Sequence, residues 1–489
     1  MQRILKASAV MGLSSVATVG LSAVRYKFIA LHLGAQGIGT LGLLVTLLTF
    51  GVTLFTLGLG NSGVREVAAG EAKGEAQSGR SRAAVTASAW ALGLLGGGVG
   101  TVLALLAPST LSLSLTTLER SVLGLTLFAS TLSAGQIALL NGLGQIKQIA
   151  RANIYGSVIG TVATLVTVFS VPALGVAAAL AVAPLVTAGF TSWYTRAQVR
   201  ELRTYLGAGT LWPTVRPMLV AGAAFSATVL ISSLTQLLIR RVIEVRLGVL
   251  DLGYFQAAWT VASVYLGFVL NAMAVEYYPR ISAFAENHQV LDQHVRRQIR
   301  FALVVGAPVI ILLYSLAPSV IELMYSDTFH AAIPVLRLQL LGDVLKIPGW
   351  AFGFLLLSIH QKGWYLVLET LWNVLLYGLS LVLLPRFGIN AVGIGYLGAY
   401  VVYYIVISAL AFFIVGFRFD FRAGMYIALV IAAMLLLSSL PNYALGTAFN
   451  GVLVAGVAFV VGMGLFGWTR QSVGLMTAGG RLAQLRGRK

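Results

Sequence analysis

Cysteine is absent from the 489-residue chain, which removes disulfides, thiolate nucleophiles and zinc-thiolate sites from consideration. Charge is scarce too: Asp, Glu, Lys and Arg make up 10% of the residues, against about 25% in an ordinary soluble domain. Acidic residues are rarest, 15 against 33 Lys and Arg, leaving a formal net charge of +18. The five histidines are scattered, and His288 and His294 fall in a basic stretch that reads as a solvated face rather than a metal site. No nucleophile and base stand at catalytic spacing. The run GLLGGGVG beside Trp90 lacks the lysine of a phosphate-binding loop and reads as close helix packing through small residues. Neither an enzyme nor a metal centre is expected.

What is present is apolar. Hydrophobic residues make up 58% of the chain and the mean hydropathy is +0.89. Blocks of about 20 apolar residues recur from end to end, the length an α-helix needs to cross about 30 Å of hydrocarbon. The expected fold is therefore an all-α polytopic membrane protein. The apolar segment after the basic leader Met1 to Lys6 runs too long for a signal-peptide core and reads as the first span.

Polar breaks divide the chain into fourteen candidate spans, beginning with 8–33 and 38–60, reaching the seventh and eighth at 214–239 and 252–275, and ending with 423–440 and 449–466. With the N-terminus in the cytoplasm, the even-numbered connections collect Arg65, Lys73, Arg80, Arg82, Lys147, Arg151, Arg196, Arg200, Arg203, Arg280, Arg296, Arg297, Arg300, Lys362, Arg418 and Arg422. The leader adds Arg3 and Lys6, and the tail adds Arg470, Arg481, Arg486, Arg488 and Lys489. The positive-inside rule then places both termini in the cytoplasm. Most of the excess charge becomes a matter of topology and contact with anionic lipids, and nucleic acid is not needed to explain it. The connectors near 61–82, 196–213 and 277–300 read as interfacial segments, and the short outer loops disfavour a glycosyltransferase or polymerase with an extracytoplasmic catalytic loop.

Nine bases escape this account: Arg25, Lys27, Arg120, Arg240, Arg241, Arg246, Arg337, Lys346 and Arg386. A charge at the bilayer centre costs about 3 kcal/mol or more, so such residues either reach an interface or serve a pathway. Some of them belong to an internal repeat. At an offset of 214 residues YKFIALHLGAQGIG, beginning at Tyr26, aligns with RRVIEVRLGVLDLG, beginning at Arg240. Lys27 falls on Arg241, His32 on Arg246, Gly34 on Gly248 and Gly39 on Gly253. Six spans separate the copies, so both run the same way through the membrane. Two pseudo-symmetric six-helix lobes, 1–213 and 214–415, are expected around a central cavity, with two accessory helices and a basic tail in 416–489.

The segment ILKASAV through LGAQGIGTLGLLVTLLTFGVTLFTLGLGNSGVREVA, and the later block LRLQLLGDVLKIPGWAFGFLLLSIHQKGWYLVLETLWNVLLYGLS with GINAVGIGYLGAYVVYYIV, resemble the multidrug/oligosaccharidyl-lipid/polysaccharide exporter superfamily. The resemblance is strongest to its Wzx-type O-antigen and enterobacterial-common-antigen flippases and lies in pattern rather than in one short motif. It implies a fourteen-helix antiporter-like carrier in the bacterial inner membrane. Such a carrier moves an undecaprenyl-pyrophosphate-linked oligosaccharide, used for lipopolysaccharide, from the inner to the outer leaflet. It also implies a cationic cavity, with Arg25 matching the place of a first-helix base, and hand-off to polysaccharide polymerase and chain-length machinery. Competing functions are a peptidoglycan-precursor flippase, a drug or cation antiporter of the same superfamily, and a non-transporting scaffold of glycan synthesis. Cationic drugs would call for a carboxylate-rich cavity, whereas the unexplained charges here are mostly basic.

Candidate ligands for the pyrophosphate are Arg25, Lys27, Arg240, Arg241, Arg246 and Lys346, because guanidinium groups bind phosphate oxygens bidentately. Arg25 lies about 28 Å along the helix from Lys6, in the outer third, so snorkelling to the interface is the competing account. Arg25 and Lys27 are about 200° apart around the helix, so one of them is expected to point inward. Arg240 and Glu244, at i and i+4, are expected to pair, leaving Arg241 and Arg246 without local partners. Asp343 and Lys346 stand one turn apart, either as an ion pair that lowers the insertion cost or with Asp343 exchanging a proton or releasing Lys346 during a cycle. Glu369, with no evident partner on its own helix, is the foremost carboxylate for coupling to H+ or Na+. Tyr265, Trp350, Trp364 and Trp372 are candidates for stacking on sugar rings, against their commoner use as interface anchors.

Overall fold

The computed structural model describes residues 2–106, 117–170, 172–205, 211–417, 420–439 and 444–465, and every regular element among them is helical. The order is α1 (Gln2–Thr56), α2 (Leu59–Glu71), α3 (Glu75–Leu106), α4 (Thr117–Gly142), α5 (Ile146–Ser170), α6 (Pro172–Tyr194), α7 (Arg196–Tyr205) and α8 (Trp212–Leu247). Then come α9 (Val249–Ser282), α10 (His288–Ser315), α11 (Ala317–Met324), a 3-10 turn at Asp327–Phe329, α12 (Ala332–Ser358), α13 (Lys362–Phe387), α14 (Asn390–Val415), α15 (Phe421–Ser439) and α16 (Ala444–Leu465). Among the described residues ten stretches are long and apolar enough to cross a membrane, and the first, Met11–Glu71, takes in most of the first expected span and all of the second. The basic tail with Arg470, Arg481, Arg486, Arg488 and Lys489, Arg418, and the side chains of Arg3, Lys6, Arg120 and Arg203 lie outside the described residues.

The chain forms two compact units, one of residues 1–257 with 324–329, the other of 258–323 with 330–489. In the first unit α3 packs along α4 and α5 along α6. Leu59, Val67, Val85, Ala89, Leu92, Leu132, Leu139 and Met218 join α2, α3, α4 and α8 in one buried cluster. Small residues let these helices approach, as a membrane interior without a hydrophobic drive between helices requires.

The internal repeat is visible in the backbone of this unit. Gly34 interrupts α1 at φ 62° and ψ −161°, and Gly248 separates α8 from α9 at φ 98° and ψ 171°. Both occupy positive φ, which an L side chain disfavours and glycine does not. The helical arms that follow cross each other: a Cβ on Gly39 would fall on the Val249 carbonyl oxygen, and one on Gly253 on the Ala35 carbonyl oxygen. Residues 35 and 249 are themselves related by 214 positions, so the contact is symmetric about the repeat axis.

The connector around Arg196 is a short helix. α7 is tied to α3 through Arg82, whose guanidinium lies 3.0 Å from Glu201 and 3.6 Å from Glu71. In the second unit α12 is the most enclosed helix, packed against α10 and α14, and α13 runs along α14. α15 and α16 pack on α10, where Arg300 meets Asp420 at 2.7 Å and Arg296 stacks over Phe417.

Candidate functional site

The basic candidates of the first unit lie on the helices that flank the breaks at Gly34 and Gly248, each in a different setting. Arg25, on the first arm of α1, donates from Nη1 to the Ala179 carbonyl of α6 at 3.2 Å. Lys27 is half-buried two residues on. Arg240 is 3% exposed, donating from Nε to Gln256 Oε1 at 3.0 Å and from Nη1 to the Gln236 side-chain and backbone oxygens at 2.7 and 3.1 Å. Its guanidinium also sits over the Phe255 ring, 5.2 Å from the centroid.

The expected Arg240–Glu244 pair is therefore replaced. Two amide side chains, one a turn earlier on α8 and one on α9, hold Arg240 against the α8–α9 hairpin. Glu244 instead takes Arg241, Nη1 to Oε2 at 2.6 Å. Arg241 thus has the local partner that the sequence assigned to its neighbour. Arg246 is exposed, two residues before Gly248, and its repeat counterpart His32 is exposed two residues before Gly34. His32 packs edge-on to Phe169, with centroids 4.5 Å apart.

In the second unit the acidic candidates meet a cluster of phenols. Asp343, 1% exposed on α12, accepts from the Tyr265 hydroxyl of α9 at 2.6 Å on Oδ2 and from the Tyr396 hydroxyl of α14 at 2.7 Å on Oδ1. The expected pairing with Lys346 is present but long, 3.9 Å from Nζ to Oδ1, and Lys346 Nζ also reaches the Tyr396 hydroxyl at 3.4 Å. Lys346 lies over the Tyr400 ring at 5.8 Å. Two phenols thus share in stabilising a carboxylate that a single amine 3.9 Å away would leave under-solvated.

Glu369, on α13, accepts on Oε1 from the Tyr403 hydroxyl of α14 at 3.3 Å. Lys346 is within electrostatic range of Glu369 as well as Asp343. Tyr396, Tyr400 and Tyr403 lie at i, i+4 and i+7 on one face of α14, between the two acids. That spacing was readable in GYLGAYVVYY, but which helix the phenols would face was not. Gln236, Gln256 and Tyr26, the surroundings of Arg240, carried no comparable signal.

Of the aromatic candidates, Tyr265 and Trp372 join this cluster, Trp372 packing on Tyr396 and Tyr400. Trp350 stacks on Tyr277, and Trp364 is exposed in the first turn of α13. Arg337 is occupied locally, with its guanidinium over the Tyr314 ring, and Arg386 lies in the last turn of α13, where a cation suits the helix dipole.

Helices that break at paired glycines, with embedded charges set against phenols, form a fold that solved structures share. The chain is similar over 94% of its length to the lipid II flippase MurJ in an inward closed conformation, with TM-score 0.70, 12% identity and 98% of that chain covered. It is similar over 84% of its length to an inward-facing multidrug resistance MATE family transporter of the MOP superfamily, with TM-score 0.69, 18% identity and 95% of that chain covered. In sequence, 184 residues are 25% identical to the lipid III flippase of Escherichia coli K12, a match covering 37% of this chain and 44% of that protein, less than half its length. The model of the family described as polysaccharide biosynthesis protein matches residues 33–334, from the helix break at Gly34 through that at Gly248 and on into α12. On that match, which covers more than half of it, the chain belongs to the polysaccharide biosynthesis protein family.

Proposed function

We propose that the protein is a flippase that carries an undecaprenyl-pyrophosphate-linked oligosaccharide, an O-antigen-type repeat unit, from the inner to the outer leaflet of the bacterial cytoplasmic membrane. Both termini lie in the cytoplasm. The lobes 1–213 and 214–415 alternate access around the substrate, 416–489 is accessory, and an H+ or Na+ gradient drives the cycle. The product passes to polysaccharide polymerase and chain-length machinery. The observation that carries this reading is the family match across 33–334 in a chain of apolar helices. The partial likeness to a protein named for flipping lipid III supports it further.

On this reading Arg25, Lys27, Arg241 and Arg246 of the first unit supply cationic lining for the pyrophosphate, and Lys346 is the corresponding base of the second unit. Arg240, held by Gln236 and Gln256, fixes the α8–α9 hairpin. Asp343 and Glu369 couple transport to the cation: with Lys346 they carry a formal charge of −1 inside the membrane, which favours uptake of one positive charge. The prenyl tail stays in lipid, and the glycan meets polar and aromatic groups such as Tyr265 and Trp372.

Joint substitution of Arg25, Lys27 and Arg241 by Gln is expected to abolish translocation of prenyl-pyrophosphate glycan in proteoliposomes. Retention of more than half the rate would rule out the cationic lining. Mass spectrometry of co-purifying lipid identifies the class independently: a prenyl pyrophosphate bearing an oligosaccharide supports the reading, and one bearing a peptide-substituted sugar moves it to a peptidoglycan precursor.

A further inference from the structure

Helix α7, in the connector that joins the two repeat copies, presents two unlike faces. Its inner face is pinned to the first unit: Glu201 meets Arg82 at 3.0 Å, and a Cβ on Gly79 would fall on the Tyr205 hydroxyl. Glu201 is the one acid in α7, and Arg82 engages it. The other face is basic. Arg196 and Arg200 stand one turn apart and are both exposed, and Arg203 follows at i+7 in the sequence. Position 201 lies about 140° around the helix from 196, and 205 about 140° from 200, so the arginines point away from the anchored side. Among the described residues neither Arg196 nor Arg200 is in an ion pair, whereas in the connector near 277–300 Arg280 pairs with Glu276 and Arg296 with Asp292.

The surroundings of these arginines suit a lipid headgroup better than a dissolved anion. Trp193, in the last turn of α6, is 56% exposed, and the Arg196 guanidinium lies over its ring, 5.8 Å from the centroid. Trp212, the first residue of α8, is 62% exposed. An exposed indole at each flank sets the connector at headgroup level, where the apolar body of the ring meets the acyl boundary and its N–H meets water. A basic amphipathic helix held at that level lies along the membrane surface. Side chains at i and i+4 have Cβ atoms about 5–6 Å apart, so Arg196 and Arg200 can grip the oxygens of one phosphodiester between them. Each base at an anionic surface strengthens attachment about fivefold.

We propose that the outward face of α7, flanked by Trp193 and Trp212, docks the phosphodiester headgroup of an anionic phospholipid. The lipid holds one face of the connector at the membrane surface while Arg82 holds the other, so the segment between the two repeat copies is anchored from both sides. The inference rests on the proposed topology for the leaflet, which is the inner one, and on α7 itself for the chemistry.

The natural absence of cysteine lets one fluorophore be placed at one position. Ala197→Cys, exposed on α7 beside both arginines, carries the label in proteoliposomes of phosphatidylcholine with one quarter phosphatidylglycerol. Bromine on the phosphatidylglycerol chains is expected to quench the label at least twofold more than the same mole fraction of bromine on phosphatidylcholine. Adding Arg196→Gln and Arg200→Gln should abolish that preference. Should the arginine variants fail to fold, salt gives a second measurement on the labelled protein alone. Raising NaCl from about 0.01 M to about 1 M shortens the Debye length from about 30 Å to about 3 Å and should at least halve the preference. Inorganic phosphate at matched ionic strength should leave it unchanged. Equal quenching by the two lipids, a preference that survives loss of both arginines, or one that salt leaves intact overturns the docking. Displacement by inorganic phosphate beyond the effect of matched salt gives the site to a free anion and overturns the lipid. If the preference persists while a membrane-impermeant thiol reagent reaches Ala197→Cys from outside the cell, the topology fails and the docking stands. If it persists while the protein moves no prenyl-pyrophosphate lipid, it is the substrate assignment that fails.

Discussion

Replacing Asp343 separates its charge from its hydrogen bonds. Asp343→Asn keeps the shape of the side chain and can still engage both phenols, its amide oxygen accepting from one and its NH2 donating to the other. The two charge-assisted bonds at 2.6 and 2.7 Å become neutral ones. At about 1.5–3 kcal/mol for a bond to a charged group and about 1 for a neutral one, the loss is about 1–4 kcal/mol in all. Opposing it is relief from burying a carboxylate, an effective penalty of several kcal/mol. The folded protein should therefore survive with its thermal stability nearly unchanged. Asp343→Ala behaves differently, because it leaves two buried hydroxyls without an acceptor at about 1–3 kcal/mol each, about 2–6 together. Thermal unfolding in detergent should place the Asn variant near wild type and the Ala variant clearly below both. Transport in proteoliposomes should lose its stimulation by a pH or sodium gradient in both variants. Gradient stimulation retained by Asp343→Asn would refute the coupling role, and equal stability of the Asn and Ala variants would refute the phenol-bridged geometry.

Two further perturbations address the basic residues. Arg240→Met removes the donor shared by Gln236 and Gln256 at a site 3% exposed. Leaving those amide groups unsatisfied costs about 1–3 kcal/mol each, so the variant should unfold at lower temperature, and a stability equal to wild type would show that the network carries no weight. Glu244→Gln releases Arg241 from its 2.6 Å pair. If Arg241 faces the pyrophosphate, the release should lower the KM for the glycolipid several-fold with little change in kcat, and an unaltered KM would remove Arg241 from the lining.

What the sequence disclosed and what it withheld follow from how far apart the interacting residues lie. The break at Gly34 and its copy at Gly248 were legible because a helix interruption is local and the repeat wrote it twice. The one-turn pairing of Asp343 with Lys346 was legible for the same reason. The partners that dominate around Asp343 were not: Tyr265 lies 78 residues away and Tyr396 lies 53 away on helices whose facing surfaces no periodicity reveals. The pairing of Glu244 failed in the same way. Local spacing assigned it to Arg240 at i−4 and left Arg241 without a partner, whereas Arg240 is held by Gln256, 16 residues away and across the hairpin turn, and Glu244 takes Arg241 at i−3. Among strongly apolar helices the polar residues are few enough to enumerate, but their mutual orientation is a tertiary property.

The repeat diverges where it meets itself, and the geometry accounts for that divergence. A residue on the axis faces its own counterpart, so identical residues at both positions would confront each other. Two arginines at 26 and 240 would set like charges together in a buried site, and the chain has Tyr26 opposite Arg240. Two glutamines at 42 and 256 would need the same volume, and the chain has Gly42 beneath Gln256. Glycine alone can be kept on both sides, as at 39 and 253, because it asks for no space. Basic side chains that occur in both copies, Lys27 and Arg241, stand one position off this self-facing register. The weak likeness between the two copies is thus what an axis lined with distinct side chains demands. The two self-facing positions that differ, Tyr26 with Arg240 and Gly42 with Gln256, are where exchanging the two residues should be tolerated together and not singly. That exchange, Gly42→Gln with Gln256→Gly, is expected to restore folding that Gly42→Gln alone abolishes. Failure of the double variant to recover would show that Arg240 depends on Gln256 more than the crossing depends on its fit.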